Sequence, residues 1–102
     1  HAMKTPYYAV IFTSSLEKNI DGYAEMSEKM VELASQQDGF LGMDSARSEI
    51  GITVSYWKDL ASIQQWRQNT EHLVAQKLGR KQWYKKFSVK IALVEREYDF
   101  EK

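Results

Sequence analysis

The chain has 102 residues, 43% of them hydrophobic and 27% charged, which is the length and composition of one ordinary globular domain. Its 14 basic and 14 acidic residues cancel, which excludes a strong electrostatic attraction to nucleic acid or to an anionic membrane. Cysteine is absent, which excludes disulfides, zinc–thiolate sites, iron–sulfur clusters and a thiol nucleophile, and fits a reducing compartment.

The two residues before Met3, His1 and Ala2, are interpreted as a cloning remnant, and residues 3–102 as a single domain. His72 is then the one native histidine. No apolar run approaches the roughly 18 residues of a membrane span, and the N-terminus lacks the apolar core of a signal peptide. We therefore expect a cytoplasmic protein without a membrane partner.

The first predicted strand, residues 6–14, is β-branched and aromatic and carries no charge. Alternate residues of a strand point to opposite faces. Here both faces are largely apolar, with Tyr8, Val10 and Phe12 on one and Tyr7, Ala9, Ile11 and Thr13 on the other. This pattern predicts a strand that is covered on both sides.

A predicted helix follows Asp21-Gly22 and runs to about residue 37, because its apolar residues recur at steps of three and four. We expect Asp21 to cap its start or to be an acid of its first turn, and Gly39 to mark its end. Residues 40–48 and 52–57 predict two strands, and the short connection between them predicts an antiparallel hairpin. Tyr56 and Trp57 point to opposite faces of the second strand, and the sequence leaves open which of them faces the helices.

The second predicted helix covers residues 60 to about 69 and carries Leu60, Ile63 and Trp66 on one face. Thr70 is a candidate cap for a further segment at 71–79, and a last strand covers residues 87–98. The order βαββαβ predicts an α+β fold of the ferredoxin-like type, with an antiparallel four-stranded sheet and both helices on one face.

The second apolar face of this sheet needs a cover, because one layer of helices covers only one face. An exposed apolar patch of that size marks an association site. Two such faces cover each other in a twofold symmetric pair. We therefore predict a homodimer whose two sheets enclose the inner faces.

Several short segments, in their order and spacing, resemble the antibiotic biosynthesis monooxygenase superfamily. They are Tyr56-Trp57-Lys58-Asp59, Ile63-x-x-Trp66, Glu71-His72-Leu73, Ala75-Gln76-x-Leu78-Gly79-Arg80, Trp83-Tyr84 and Val94-Glu95-Arg96-x-Tyr98. The resemblance spans residues 7–100 and is nearest to a bacterial branch of mostly unassigned role. It implies a dimeric α+β barrel. The superfamily includes cofactor-free quinone-forming monooxygenases, haem-degrading enzymes and members without known activity.

Two positions depart from the haem-degrading relatives. Those relatives bear an axial histidine ten residues after the helix tryptophan, where this chain has Gln76, and an asparagine on the first strand, where this chain has none. Glutamine is a poor iron ligand beside imidazole, so we expect no cofactor and disfavour haem. Glu71 and His72 are adjacent on a helix and diverge by about 100°, so we expect no metal site.

Candidate catalytic residues are His72, Trp66 and Tyr56. The side chain of His72 either touches solvent near a helix start or faces the cleft behind Trp66, where a neutral imidazole takes a proton from a phenol near pH 7. Trp66 is either core or the flat wall of a pocket between helices and sheet. Candidate ligand-binding residues are Trp57, Asn69, Trp83, Tyr84 and Arg80, and Asn69 stands where related sequences often have histidine.

Two basic groups have a structural and a functional interpretation. Arg80, Lys81, Lys85 and Lys86 flank Trp83-Tyr84, a mixture that binds single-stranded nucleic acid in some proteins. Without a net positive charge we interpret this group as a solvated surface and expect no nucleic-acid partner. Arg47, with Ser45 and Ser48, either holds an anion or serves the edge of the hairpin.

The resemblance implies a cofactor-independent monooxygenase for a small aromatic or quinol-type substrate. Such an enzyme desolvates its substrate, here between Trp66 and Tyr56, and lets the deprotonated form pass an electron to dioxygen. The alternative is a non-catalytic binding or stress-response module that sequesters a small hydrophobic molecule.

Overall fold

The computed structural model describes residues 4–76 and 83–102, and of residues 72–76 only the helical backbone. Its elements are β1 (Tyr7–Leu16), α1 (Tyr23–Ser35), β2 (Phe40–Arg47), β3 (Gly51–Trp57), α2 (Leu60–Gln76) and β4 (Tyr84–Val94). In the described part of the chain the strands form one antiparallel sheet in the order β2-β3-β1-β4. The predicted ferredoxin-like βαββαβ fold is confirmed.

The strand register decides which residues face the helices, because paired residues of neighbouring strands share a face. Tyr8 pairs with Trp57, and Val10 pairs with Ser55. Val10 and Trp57 form the buried core with Ala34 of α1 and Ile63 of α2, so this is the helix-facing side of the sheet. We call the other side the open face; it carries Tyr7, Ala9, Ile11, Thr13, Ile52, Val54, Tyr56, Lys90, Ala92 and Val94.

The start of α2 is fixed by a side-chain cap and by a close approach of the α1–β2 connection. The Ser62 amide donates a hydrogen bond of 2.8 Å to Asp59 Oδ1. Hydrogen bonds from the side chain and the backbone of Ser62 lower the pKa of the Asp59 carboxyl. Gly39 has a left-handed φ of 90°, and a Cβ added there would collide with the Ser62 side chain. Glycine at position 39 therefore lets the connection lie directly against the first turn of α2.

The two helices differ from the sequence prediction at three points. The N-cap of α1 is Gly22 rather than Asp21, and the Asp21 carbonyl instead accepts a hydrogen bond from Trp83 Nε1 at 2.9 Å. α2 continues past residue 69 to Gln76 as one helix. Thr70 caps nothing, because its hydroxyl donates to the Trp66 carbonyl one turn earlier, at 2.8 Å. Residues 77–79 of the predicted further segment lie outside the described residues.

The open face is covered in part by the chain's own C-terminal segment. Tyr7 is buried on this face, and its hydroxyl donates to Glu97 Oε2 at 2.9 Å. At the far end of the same face Ile52 remains 46% exposed. The apolar face predicted from β1 is thus closed near Tyr7 and uncovered near Ile52 in a single chain.

None of the helices in the described ranges is long and apolar enough to cross a membrane.

Candidate functional site

A half-exposed apolar surface runs along the helix-facing side of β4. The main helix–sheet contacts are those of α1 with β2 and of α2 with β3, and the core that the helices cover includes Val10 of β1 but no described residue of β4. Four apolar side chains of β4 are consequently between 43% and 50% exposed: Phe87, Val89, Ile91 and Leu93. We call these four residues the β4 strip. It is an apolar surface beside the helix layer.

An aromatic cluster lies at one end of the β4 strip. Phe12 stacks on Phe87 with 5.6 Å between ring centroids and meets the edge of Tyr84 at 5.4 Å. Tyr23, the first residue of α1, contacts the rings of Tyr84 at 5.8 Å and Trp83 at 5.9 Å. The buried Trp83 also holds the loop before α1 through its bond to Asp21. The cluster therefore ties the start of β4 to the start of α1.

Two stacked tryptophans lie towards the other end. The rings of Trp57 and Trp66 are 5.0 Å apart and inclined by 29°. Trp57 is fully buried, and its Nε1 donates to Ser55 Oγ at 2.9 Å. Trp66 Nε1 is also buried, yet it has no hydrogen-bond partner among the described residues. Tyr8 packs against this group and pairs with Leu93, which joins the tryptophans to the β4 strip.

Tyr56 lies on the open face, away from Trp66. It pairs with Ala9 and meets the ring of Tyr7 edge-on at 5.8 Å. Its hydroxyl donates to Asp44 Oδ2 at 2.9 Å, and burial together with this bond raises the pKa of the phenol. The substrate wall predicted from Trp66 and Tyr56 together is therefore not formed within one chain, because the sheet separates them.

The remaining candidate residues fall into three groups. Trp83 and Tyr84 belong to the aromatic cluster. Asn69 is exposed on α2, where its side-chain amide donates to Gln37 Oε1 at 3.4 Å. His72 lies on the backbone of α2, but its side chain is outside the described residues, as is the whole of Arg80.

Sequence reasoning missed the β4 strip and the partners of Arg47, which lies beside it. The alternation of Val89, Ile91 and Leu93 along the last predicted strand indicates an apolar face, but chain order does not reveal how far the helices cover each strand. Arg47 Nη2 donates to Ser14 Oγ at 2.6 Å and lies 3.4 Å from the Tyr23 hydroxyl. The signal available in the sequence was the short hairpin connection, which pairs Arg47 with a glycine, Gly51, on β3.

No cluster of three or more His, Cys, Asp or Glu residues in the described part of the chain is placed to hold a metal ion.

Comparison with known proteins gives a sequence family and several similar folds. The antibiotic biosynthesis monooxygenase family profile matches residues 6–78. The uncharacterized protein YqjZ of Bacillus subtilis is 48% identical over 98 residues, which cover 94% of this chain and 86% of that protein.

Two solved structures illustrate the likeness in fold. SnoaB, a cofactor-independent oxygenase from Streptomyces nogalater, superposes with a TM-score of 0.65 at 8% identity and covers 96% of this chain and 100% of its own. PA3566 from Pseudomonas aeruginosa superposes with a TM-score of 0.68 at 19% identity and covers 95% of this chain and 100% of its own. At these identities the likeness concerns the fold alone.

Proposed function

Because the chain belongs to the antibiotic biosynthesis monooxygenase family, we propose that it oxygenates a small aromatic substrate of the phenol or quinol type without a cofactor. The observation that carries this proposal is the β4 strip, a half-exposed apolar surface on the helix side of the sheet. An aromatic ring that packs there gains the free energy of removing both surfaces from water. The aromatic cluster at one end adds edge and face contacts of the kind aromatic rings prefer.

The reaction balances with dioxygen as the sole oxidant. A phenol loses its proton to a base and, as phenolate, passes one electron to dioxygen. The resulting radical and superoxide combine at a ring carbon, and the O–O bond of the peroxide breaks to release water. One oxygen atom remains as the second quinone carbonyl and the other leaves in water, so that 1-naphthol and O₂ give 1,4-naphthoquinone and H₂O.

An apolar site favours the electron transfer but opposes the deprotonation. Removing water from a phenolate destabilises its charge, which makes it a stronger reductant and also raises the pKa of the phenol. The proposed site therefore needs a base and a hydrogen-bond donor to the phenolate oxygen. We assign the base to His72, whose ordinary pKa lies close to neutrality. Trp66 Nε1 is the proposed donor, since no described residue accepts its hydrogen bond.

We also propose that this chain does not use a haem. The position that matches the axial histidine of haem-degrading relatives is Gln76, and an amide is a weak iron ligand. The proposed reaction needs no electron carrier, because the substrate supplies all four electrons that reduce dioxygen.

A homodimer is the proposed assembly, with the open faces of two chains in contact. The exposure of Ile52 supports this, since an apolar side chain at the uncovered end of that face is shielded by a second copy. This contact lies on the opposite side of the sheet from the β4 strip. Both surfaces of the sheet are then used, one for assembly and one for substrate.

An oxygen electrode tests the proposed activity. We expect the purified protein to increase dioxygen uptake saturably with at least one member of a panel of naphthols and quinols, without added metal or flavin. If uptake equals that of buffer for every phenol but one of them binds tightly, the enzyme proposal fails and the small-molecule-binding module takes its place. If the protein neither increases uptake nor binds any of these compounds, both the enzyme and the binding-module hypotheses fail.

A further inference from the structure

The guanidinium of Arg47, an exposed residue, lies over the helix-facing side of the sheet. Starting at the end of β2, the side chain crosses β3 and reaches Ser14 of β1, where Nη2 donates to Oγ at 2.6 Å. Ser14 is only 2% exposed, so the hydroxyl that anchors the guanidinium is itself fixed inside the protein. The guanidinium carbon also lies 5.7 Å from the centre of the Tyr23 ring, which is within range of a cation–π contact.

Gly51 provides the space for this conformation. Gly51 is the residue of β3 that pairs with Arg47, and it also pairs with Ser14. A Cβ added at Gly51 would overlap with the guanidinium of Arg47. Any residue larger than glycine would therefore push the arginine away from Ser14. Ser14 and Gly51 thus fix the position of the Arg47 guanidinium. We call this arrangement of the three residues the seat.

This charge has no acidic partner in the described part of the chain. The ion pair found there joins Arg67 and Glu71 on the exposed side of α2. The described hydrogen bonds of the Arg47 side chain both use Nη2 and end on neutral hydroxyls. A guanidinium has five N–H donors in a planar fork, and the described hydrogen bonds of Arg47 use only Nη2. A planar oxyanion suits such a fork, because a carboxylate accepts two parallel hydrogen bonds from it.

The seat adjoins the proposed substrate surface. Ser14 pairs with Phe87, which is the first residue of the β4 strip. Tyr23, under the guanidinium, contacts Tyr84 of the aromatic cluster. A ligand that lies on the strip with its ring against Phe12 and Phe87 would therefore end near Arg47.

We propose that Arg47, seated on Ser14, Tyr23 and Gly51, is an anion-binding subsite that takes the carboxylate of an aromatic acid bound along the β4 strip. This rests on the proposed function, whose substrate class it narrows to aromatic molecules with an acidic group at one end. The subsite binds the ligand and sets its orientation, and it takes no part in the electron transfer.

A matched pair of ligands tests the subsite: 2-naphthoate and 2-naphthamide, which have nearly the same shape and differ in charge. Their affinities are measured by calorimetry on the full chain. We expect naphthoate to bind about tenfold more tightly than naphthamide, the effect of one charge-assisted interaction. We expect Arg47→Gln to remove that difference and to leave naphthamide binding unchanged.

Two further variants separate position from charge. Gly51→Ala keeps the charge but displaces it, so it should weaken naphthoate binding as Arg47→Gln does. Arg67→Gln removes one surface charge elsewhere and should leave both affinities unchanged. Equal affinity for the two ligands in the wild type, or equal losses in Arg47→Gln and Arg67→Gln, would overturn the subsite while the β4 strip stands. Failure of both ligands to bind would overturn the strip and the subsite together.

Discussion

Trp66 stacks on Trp57, but only one of the two indole N–H groups has a partner. Trp57 donates to Ser55, whereas the buried Nε1 of Trp66 has no acceptor in the described part of the chain. A buried donor without an acceptor costs about 1–3 kcal/mol. A site that binds an oxygen-bearing ligand recovers this cost when the ligand is present. We therefore propose that Trp57 serves the core and that Trp66, which packs against it, also serves the ligand.

Replacing each tryptophan by phenylalanine separates these roles. Trp66→Phe removes the unpaired donor, so we expect about tenfold weaker binding of 1-naphthol and little change in the free energy of unfolding. Trp57→Phe leaves Ser55 without its donor and opens space at a fully buried position, so it should lower the free energy of unfolding by about 2 kcal/mol. Urea denaturation and calorimetric titration measure both. Unchanged naphthol affinity in Trp66→Phe would contradict the role given to its indole.

Two isoleucines on opposite sides of the sheet separate substrate binding from assembly. Ile91 of the β4 strip is 49% exposed and Ile52 of the open face is 46% exposed, so a lysine at either position can reach water. We expect Ile91→Lys to abolish naphthol binding and leave the dimer intact, and Ile52→Lys to weaken the dimer and leave binding intact. Light scattering and calorimetry on both variants give the four results. A wild-type mass near one chain at micromolar concentration would end the homodimer proposal.

The Tyr7–Glu97 contact makes stability depend on alkaline pH. Burial first, and then the bond to Glu97, raises the pKa of Tyr7 from 10.0 to about 12. The folded state holds the neutral phenol, so this contribution to stability is complete below pH 10 and is lost as the pH rises from 10 to 12. Tyr7→Phe should be less stable at neutral pH by about 1.5–3 kcal/mol, and it should lose less stability over that alkaline range.

Thermal melts between about pH 8 and about pH 12, roughly the range in which tyrosines ionise, measure this difference. Tyr98→Phe is the control, since Tyr98 is 94% exposed and should leave the profile unchanged. A Tyr7→Phe profile parallel to that of the wild type would show that the phenol is not held neutral by the fold.

The hydrogen bonds that cap α2 make stability depend on acidic pH, where stability is lost as the pH falls. The bonds to Ser62 lower the pKa of Asp59 from its ordinary value of 3.8, so its contribution is present above that value and is lost as the pH falls through the folded pKa. Asp59→Ala should lower the melting temperature at pH 7 and leave it nearly unchanged at the acid end of the profile. Glu28→Ala, on the exposed side of α1, is the control and should change neither. A melting temperature at pH 7 equal to that of the wild type would contradict the cap.

The fold could be read from the sequence because strand alternation and helical spacing act locally. The alternation of Tyr8, Val10 and Phe12 against Tyr7, Ala9 and Ile11 matches the two faces in the structure. The end of the second helix could not be read, because Thr70 serves equally as a cap or, as here, as a residue that bonds back to the previous turn. Local pattern does not decide between these two uses of a threonine hydroxyl.

The site was predicted less well than the fold because it depends on which face each strand presents and on where the helices lie. Tyr56 and Trp57 are adjacent, and only the register with β1 shows that Trp57 faces the helices. The β4 strip depends on the helices lying over β2 and β3, a tertiary feature with no local signal. Arg47 was noted beside two serines near the hairpin, but its actual partners, Ser14 and Tyr23, are distant in sequence.

The most direct test of the central claim is the oxidation of 1-naphthol under ¹⁸O₂ by the wild type and by Ile91→Lys. The wild type should form 1,4-naphthoquinone with one ¹⁸O atom per molecule and consume one dioxygen for each, without added cofactor. The variant should stay folded and form the quinone no faster than buffer does. Equal rates for the two proteins would contradict the claim that aromatic substrates bind at the β4 strip and are oxygenated there. A wild-type rate equal to that of buffer for every phenol tested would contradict it as well.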